Sequence, residues 1–223
     1  LAPVDFNRPV LNGIPLMNIA PYCDGDVSDL QGVHFYDDAR YLDDSDTTPK
    51  HNLLMLGANH NYYNTVWTPG LFPAGTADDW GFVDGGQSDE HCGSSAPGNG
   101  RFDPETQRNS LLAYASAFFR VYVGDETDFD PILKVEDITP PASSTLVGDE
   151  IFMSYHPPSH KRVDVNRTDS ETAEVTNSLD EAASENGLVT YNICGDDFGE
   201  QYCIGAGAGA NQEPHNKNGG LAV

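Results

Sequence analysis

The chain has 223 residues, enough for one large domain or two modest ones, and its 38% hydrophobic content with 22 Gly and 15 Pro implies a large share of loop. Thirty-five acidic residues against eleven basic ones leave a net charge of −24, which argues against nucleic acid and anionic membrane surfaces as partners. The same excess self-repels in dilute buffer and is best tolerated where salt screens it, so a halophilic source is one expectation and an ordinary acidic secreted protein the other.

In chain order, residues 15–22 are a short apolar run that stops at Asp24, and this pattern predicts a buried strand. Residues 30–42 carry apolar positions at mixed spacing and predict a helix over one sheet face, closed by the acidic loop 43–49. Residues 52–57 predict a second buried strand, which stops at His60. A long Gly-, Pro- and Asp-rich loop follows over residues 65–102 and carries Trp67, Phe72, Trp80 and Phe82; loops of this length are functional or disordered. Asp103-Pro104-Glu105 is a helix start: an N-cap, a proline at the first helical position and an acid in the first turn. Leu111, Ala115, Phe118 and Tyr122 then recur at helical spacing, Leu112 and Phe119 widen the stripe, and Gly124 terminates it.

The texture changes after Gly124. Residues 125–145 read as an acidic, proline-containing linker. Beyond them, the β-type runs 150–155, 162–165 and 187–194 predict an antiparallel module over residues 146–223, with a low-complexity tail at 205–210. The expected fold class is therefore α/β over residues 1–124, followed by a small antiparallel β module.

The chemistry concentrates at the two strand ends. In an open α/β sheet the site lies beyond the carboxyl ends of the strands. An Asp and then a His on two such ends are the acid and base of a Ser…Asp…His triad in α/β-hydrolase order. The triad's Asp orients the imidazole, and its His takes the nucleophile's proton. The nucleophile should come first, on a Gly-x-Ser-x-Gly turn, and no such turn occurs in this sequence. Ser88 and Ser94 sit in Gly-rich loop and precede no helix that would form an elbow. Calcium competes at the same acid, because Asp24, Asp26 and Asp29 put three carboxylates on one loop without the full EF-hand pattern. His34, His51, His91, His156, His160 and His215 lack the strand-end context of His60, and Pro157-Pro158 prevents a helix from aligning His156 with His160.

Four cysteines fit two disulfides: Cys194 with Cys203 across a local Gly- and Asp-rich loop, and Cys23 with Cys92. The second bridge would pin the 65–102 loop beside the acid turn, where Trp67, Phe72 and Trp80 could wall an apolar acyl cleft; loop-to-core filling is the plainer role for these rings. A metal site is the alternative for the cysteines, although no C-x-x-C pair occurs. Asn166-Arg-Thr168 is a glycosylation sequon. No run of about 18 apolar residues could span a membrane. The chain starts at Leu1 with no signal peptide, so the expectation is a processed chain or a fragment of a secreted, extracellular protein.

Two of these stretches carry a family resemblance. Tyr22-Cys-Asp-Gly-Asp-Val-Ser-Asp-Leu-Gln-Gly32 and Gly57-Ala-Asn-His-Asn-Tyr-Tyr-Asn64 resemble the acid and histidine turns of a large secreted bacterial α/β-hydrolase family. Ser154-Tyr-His-Pro-Pro158 and Arg162-Val-Asp-Val-Asn-Arg167 resemble the β-rich region that follows the catalytic domain there. The resemblance implies a serine hydrolase acting on carboxylic esters through an acyl-enzyme, without a cofactor, with Asp24 as acid and His60 as base. The nucleophile elbow, the oxyanion-hole loop and the first strands are absent, so an N-terminal hydrolase segment carrying the serine is the expected partner. A non-catalytic acidic surface or assembly protein, with a decayed hydrolase half and a β-binding module, is the alternative.

Overall fold

The computed structural model describes residues 11–24, 30, 32–41, 43–68, 70–71, 101–134, 150–167, 172–184, 186, 190–192 and 220–222. Strand β1 (Leu16–Pro21) and strand β2 (Lys50–Met55) lie side by side and parallel, with Leu16 opposite Lys50 and Pro21 opposite Met55. Helix α1 (Val33–Tyr41) is the crossover between them. Beyond the strands the pairing continues through two backbone bonds, Tyr22 N–H to the Met55 carbonyl at 3.0 Å and Cys23 N–H to the Ala58 carbonyl at 2.8 Å. Both turns therefore leave the sheet at the same edge.

Alternation along the strands divides the core between two faces. Ala20 and Leu54 point to one side and pack with Leu30 and Val33 at the start of α1. Leu53 and Met55 point to the other and pack with Ala58, Phe102 and Ile151, with Ile19, Tyr114 and Met153 around them. Helix α2 (Pro104–Tyr122) covers that second face, and the short helix α3 (Asp130–Lys134) extends the cover through Leu133, which packs with Ala117 and Val121. Among the described residues, then, the molecule has a mixed three-stranded sheet with three helices, together with a separate two-stranded sheet, and is α/β in general kind.

The third strand corrects the expected organisation. The sequence pattern places β3 (Ile151–His156) in a separate β module, but it pairs antiparallel with β2, Lys50 opposite His156 and Met55 opposite Ile151. Ile151 and Met153 supply apolar surface to the core around Leu53, and that surface is what draws the segment onto the sheet. β2 is therefore the central strand, while β1 has no strand on its outer edge among the described residues. Residues 162–165 form no strand. Val163 and Val165 are exposed, with no sheet over them among the described residues, and Arg162 ties back instead to Asp164 and to the Pro157 carbonyl. Of the run 187–194, β4 (Thr190–Asn192) forms and pairs antiparallel with β5 (Gly220–Ala222). Outside the described residues lie the low-complexity stretch 205–210 and the linker beyond residue 134.

Helix α2 begins as the sequence predicts: one Asp103 carboxylate oxygen accepts the N–H groups of Glu105 and Thr106, each at 2.9 Å. It ends at Tyr122 with Val123 as its C-cap, and Gly124 follows, where any side chain would put a Cβ 2.8 Å from the Arg120 carbonyl oxygen. Its inner face is rotated from the expected stripe, because Gln107, Ser110, Ala117 and Val121 are buried while Leu112 and Phe119 are 64% and 61% exposed. Two polar residues on the inner face account for the error, since an apolar count passes over them.

Two further histidines are buried, His51 within β2 and His156, which the structure places as the last residue of β3. His51 stacks on Tyr155 with ring centroids 5.2 Å apart, and its Nε2 lies 2.8 Å from the Tyr122 hydroxyl. The His156 Nε2–H donates to the Arg40 carbonyl at 2.9 Å. Burial pushes both imidazoles down to about 4, with Asp130 and Lys134 acting in opposite senses on His51, and Arg162 and Arg40 adding to the fall at His156. The unfolded chain binds these protons near pH 6.5, so stability is full above that value and is lost as pH falls toward 4. Moving from pH 7.5 to 5 should cost roughly 2 kcal/mol per histidine. Denaturant unfolding at the two pH values checks this, and equal midpoints would contradict it.

Candidate active site

Asp24 follows the end of β1 by three residues, and His60 follows the end of β2 by five. Parallel pairing puts both turns at one sheet edge, and the side chains meet there. The His60 Nδ1 lies 2.8 Å from one Asp24 carboxylate oxygen and 2.9 Å from the other. The His60 backbone N–H donates to the same carboxylate at 3.0 Å. Asp24 is fully buried, whereas the His60 side chain keeps 19% of its surface exposed.

An ionised carboxylate can only accept, so the contact places the proton on Nδ1 and leaves the lone pair of the neutral ring on Nε2. This is the tautomer in which an imidazole can take a proton from a nucleophile. Burial of the acid and partial exposure of the imidazole divide the pair as a triad requires: one group fixed, the other able to meet a substrate. Trp67 stands edge-on to the His60 ring with centroids 5.8 Å apart, so one of the three expected cleft aromatics lies beside the base. Phe72 and Trp80 lie outside the described residues.

The loop that presents His60 is held by a residue the sequence did not single out. Gln107, in the second turn of α2, is fully buried, and its carboxamide pairs with the Asn59 main chain in both directions. The Asn59 N–H donates to Gln107 Oε1 at 3.1 Å, and Gln107 Nε2 donates to the Asn59 carbonyl. Asn59 Oδ1 in turn accepts the Tyr62 N–H at 2.9 Å, which closes the turn after His60. Arg108 adds contacts to the Tyr62 carbonyl and the Thr68 hydroxyl, at 3.3 and 3.4 Å. A helix pattern scored only for apolar residues gives no sign of this; the local cue is a glutamine one turn after a strong N-cap.

Of the competing assignments, calcium would need the Asp24 carboxylate, both of whose oxygens are within hydrogen-bonding distance of His60. Its companions Asp26 and Asp29 lie outside the described residues, among which no group of three metal-ligating side chains occurs. Cys23 is one half of a disulfide. Cys92, Cys194 and Cys203 lie outside the described residues, so the expected pairings stay expectations. Asn166 is exposed, and its side-chain amide donates to the Ala173 carbonyl at 2.7 Å. No described helix is long and apolar enough to cross a membrane.

No family model, curated protein or solved structure matches this chain. The class that the fold and site define is an α/β sheet carrying an acid–imidazole pair at the carboxyl ends of two neighbouring parallel strands.

Proposed function

We propose that this chain is the acid–base half of a secreted serine hydrolase that cleaves carboxylic esters through an acyl-enzyme. One observation carries the reading: the Nδ1 of His60 faces the buried Asp24 carboxylate at 2.8 Å, at the edge where parallel strands present a site. In the proposed reaction a serine hydroxyl attacks the ester carbonyl while His60 Nε2 accepts its proton. The imidazolium formed is stabilised by Asp24 and then gives the proton to the departing alcohol. Water, deprotonated by the same nitrogen, attacks the acyl-serine; as the ester bond breaks the imidazolium returns the proton to the serine oxygen and the acid is released. Backbone N–H groups beside the serine hold the oxyanion in both steps.

The serine is supplied from outside residues 1–223, because the sequence contains no nucleophile elbow. The outer edge of β1 is where a nucleophile-bearing sheet would add, since a parallel strand there would extend the order β1-β2-β3 beside β1, where no strand lies among the described residues. A fluorophosphonate probe applied to native material tests the reading. Labelling of a serine on a segment associated with this chain is expected. Absence of labelling in intact, associated material would overturn it in favour of a non-catalytic acidic surface protein.

A further inference from the structure

The peptide joining Asn59 to His60 is gripped from both sides. Its carbonyl accepts from Gln107 Nε2, and its N–H is the His60 amide that donates to Asp24 at 3.0 Å. One planar unit thus lies between a helix side chain and the acid of the dyad, and its plane fixes where the His60 main chain starts. We infer that Gln107 is a positioning residue for His60, acting through the Asn59–His60 peptide to hold the imidazole on Asp24.

Three observations make this more than loop packing. The two Gln107 bonds on Asn59 are reciprocal, so the carboxamide can neither rotate nor slide without losing both. A bond to the carbonyl polarises the N–H of the same peptide, which strengthens its bond to a carboxylate. Gln107 lies in the second turn of a helix whose start is fixed by the Asp103 cap and by the Phe102 N–H to Gly57 carbonyl bond of 2.9 Å, so its reach is set by rigid elements. The chain from helix to base is therefore Asp103 cap, Gln107 carboxamide, Asn59–His60 peptide, Asp24 carboxylate. Gln107 touches no reacting atom; its effect on catalysis passes through His60.

The inference rests on the proposed hydrolase only for its catalytic consequence, and its test reads the dyad itself. Gln107→Met removes both bonds at nearly constant volume, and Gln107→Glu keeps an acceptor for the Asn59 N–H while removing the donor to the Asn59 carbonyl. Amide hydrogen exchange on the full chain should then show the His60 N–H exchanging about tenfold faster in both variants, the equivalent of one net hydrogen bond. The Leu53 and Met55 amides of β2 serve as the internal reference for global opening. In Gln107→Glu the Asn59 N–H should stay protected while His60 does not. If Gln107→Met does not fold, Gln107→Glu carries the same comparison. His60 exchange that follows Leu53 and Met55 in a folded variant would overturn the positioning role. In the assembled hydrolase the same variants should lower kcat with little change in KM; absence of any turnover would count against the hydrolase and leave the exchange result standing.

Discussion

Asp24→Asn should lower kcat on an acyl ester by about four orders of magnitude, with KM little changed, because an amide offers the imidazole a donor where the carboxylate accepts only. The wild-type contact places the proton on Nδ1; the substituted side chain permits the opposite tautomer, in which Nε2 carries the proton and cannot act as base. His60→Ala should lose as much or more, since it removes the base itself. Because the two groups act as one unit, the double variant should be no worse than His60→Ala alone. Steady-state kinetics on the assembled protein check this. A loss below tenfold for Asp24→Asn would show that Asp24 does not orient the base.

The largest stability effect should come from a site away from the chemistry. Lys50 is fully buried at the start of β2, and its ammonium lies 2.9 Å from Asp46 and also donates to the Ile14 carbonyl at 2.7 Å and the Thr48 hydroxyl at 2.8 Å. Burial alone would raise the Asp46 carboxyl, but hydrogen bonds from Thr48, Lys50 and the Gly13 N–H overcome it and hold the group well below the usual carboxylate range. The pair locks the start of β1 to the start of β2. Asp46→Ala leaves a buried ammonium without its counter-charge and should cost about 3–5 kcal/mol. For a chain of this size that corresponds to a melting temperature lower by roughly 10 °C. Adding Lys50→Met to Asp46→Ala should recover part of the loss, because it removes the stranded charge. Thermal unfolding of the single and double variants measures both effects, and a double variant less stable than Asp46→Ala would contradict the pairing argument.

Apolar runs ending at Asp24 and His60 were legible because a buried parallel strand must be apolar until it emerges, and the first polar residue past it marks the sheet edge. The start of β2 was not legible in this way. Lys50 and His51 are polar, yet they are strand residues, Lys50 buried in an ion pair with Asp46 four residues earlier and His51 by stacking against Tyr155, a partner distant in sequence. The same blindness hid Gln107, whose burial depends on the main chain of Asn59, 48 residues earlier. β3 was recognised as a strand, but its place was not, because alternation reports one covered face and says nothing about which sheet covers it. Val163 and Val165 show the converse failure: β-branched alternation that pairs with no described strand leaves the residues exposed.

The most direct test of the central claim is a rapid-mixing measurement of alcohol release from an activated acyl ester by the assembled protein. An acyl-enzyme formed through His60 predicts a burst of product equal to one equivalent per chain, followed by slower turnover, with the burst abolished by His60→Ala. A linear time course without a burst, or a burst of equal rate and size in His60→Ala, would contradict the assignment of Asp24 and His60 as the acid–base half of a serine hydrolase.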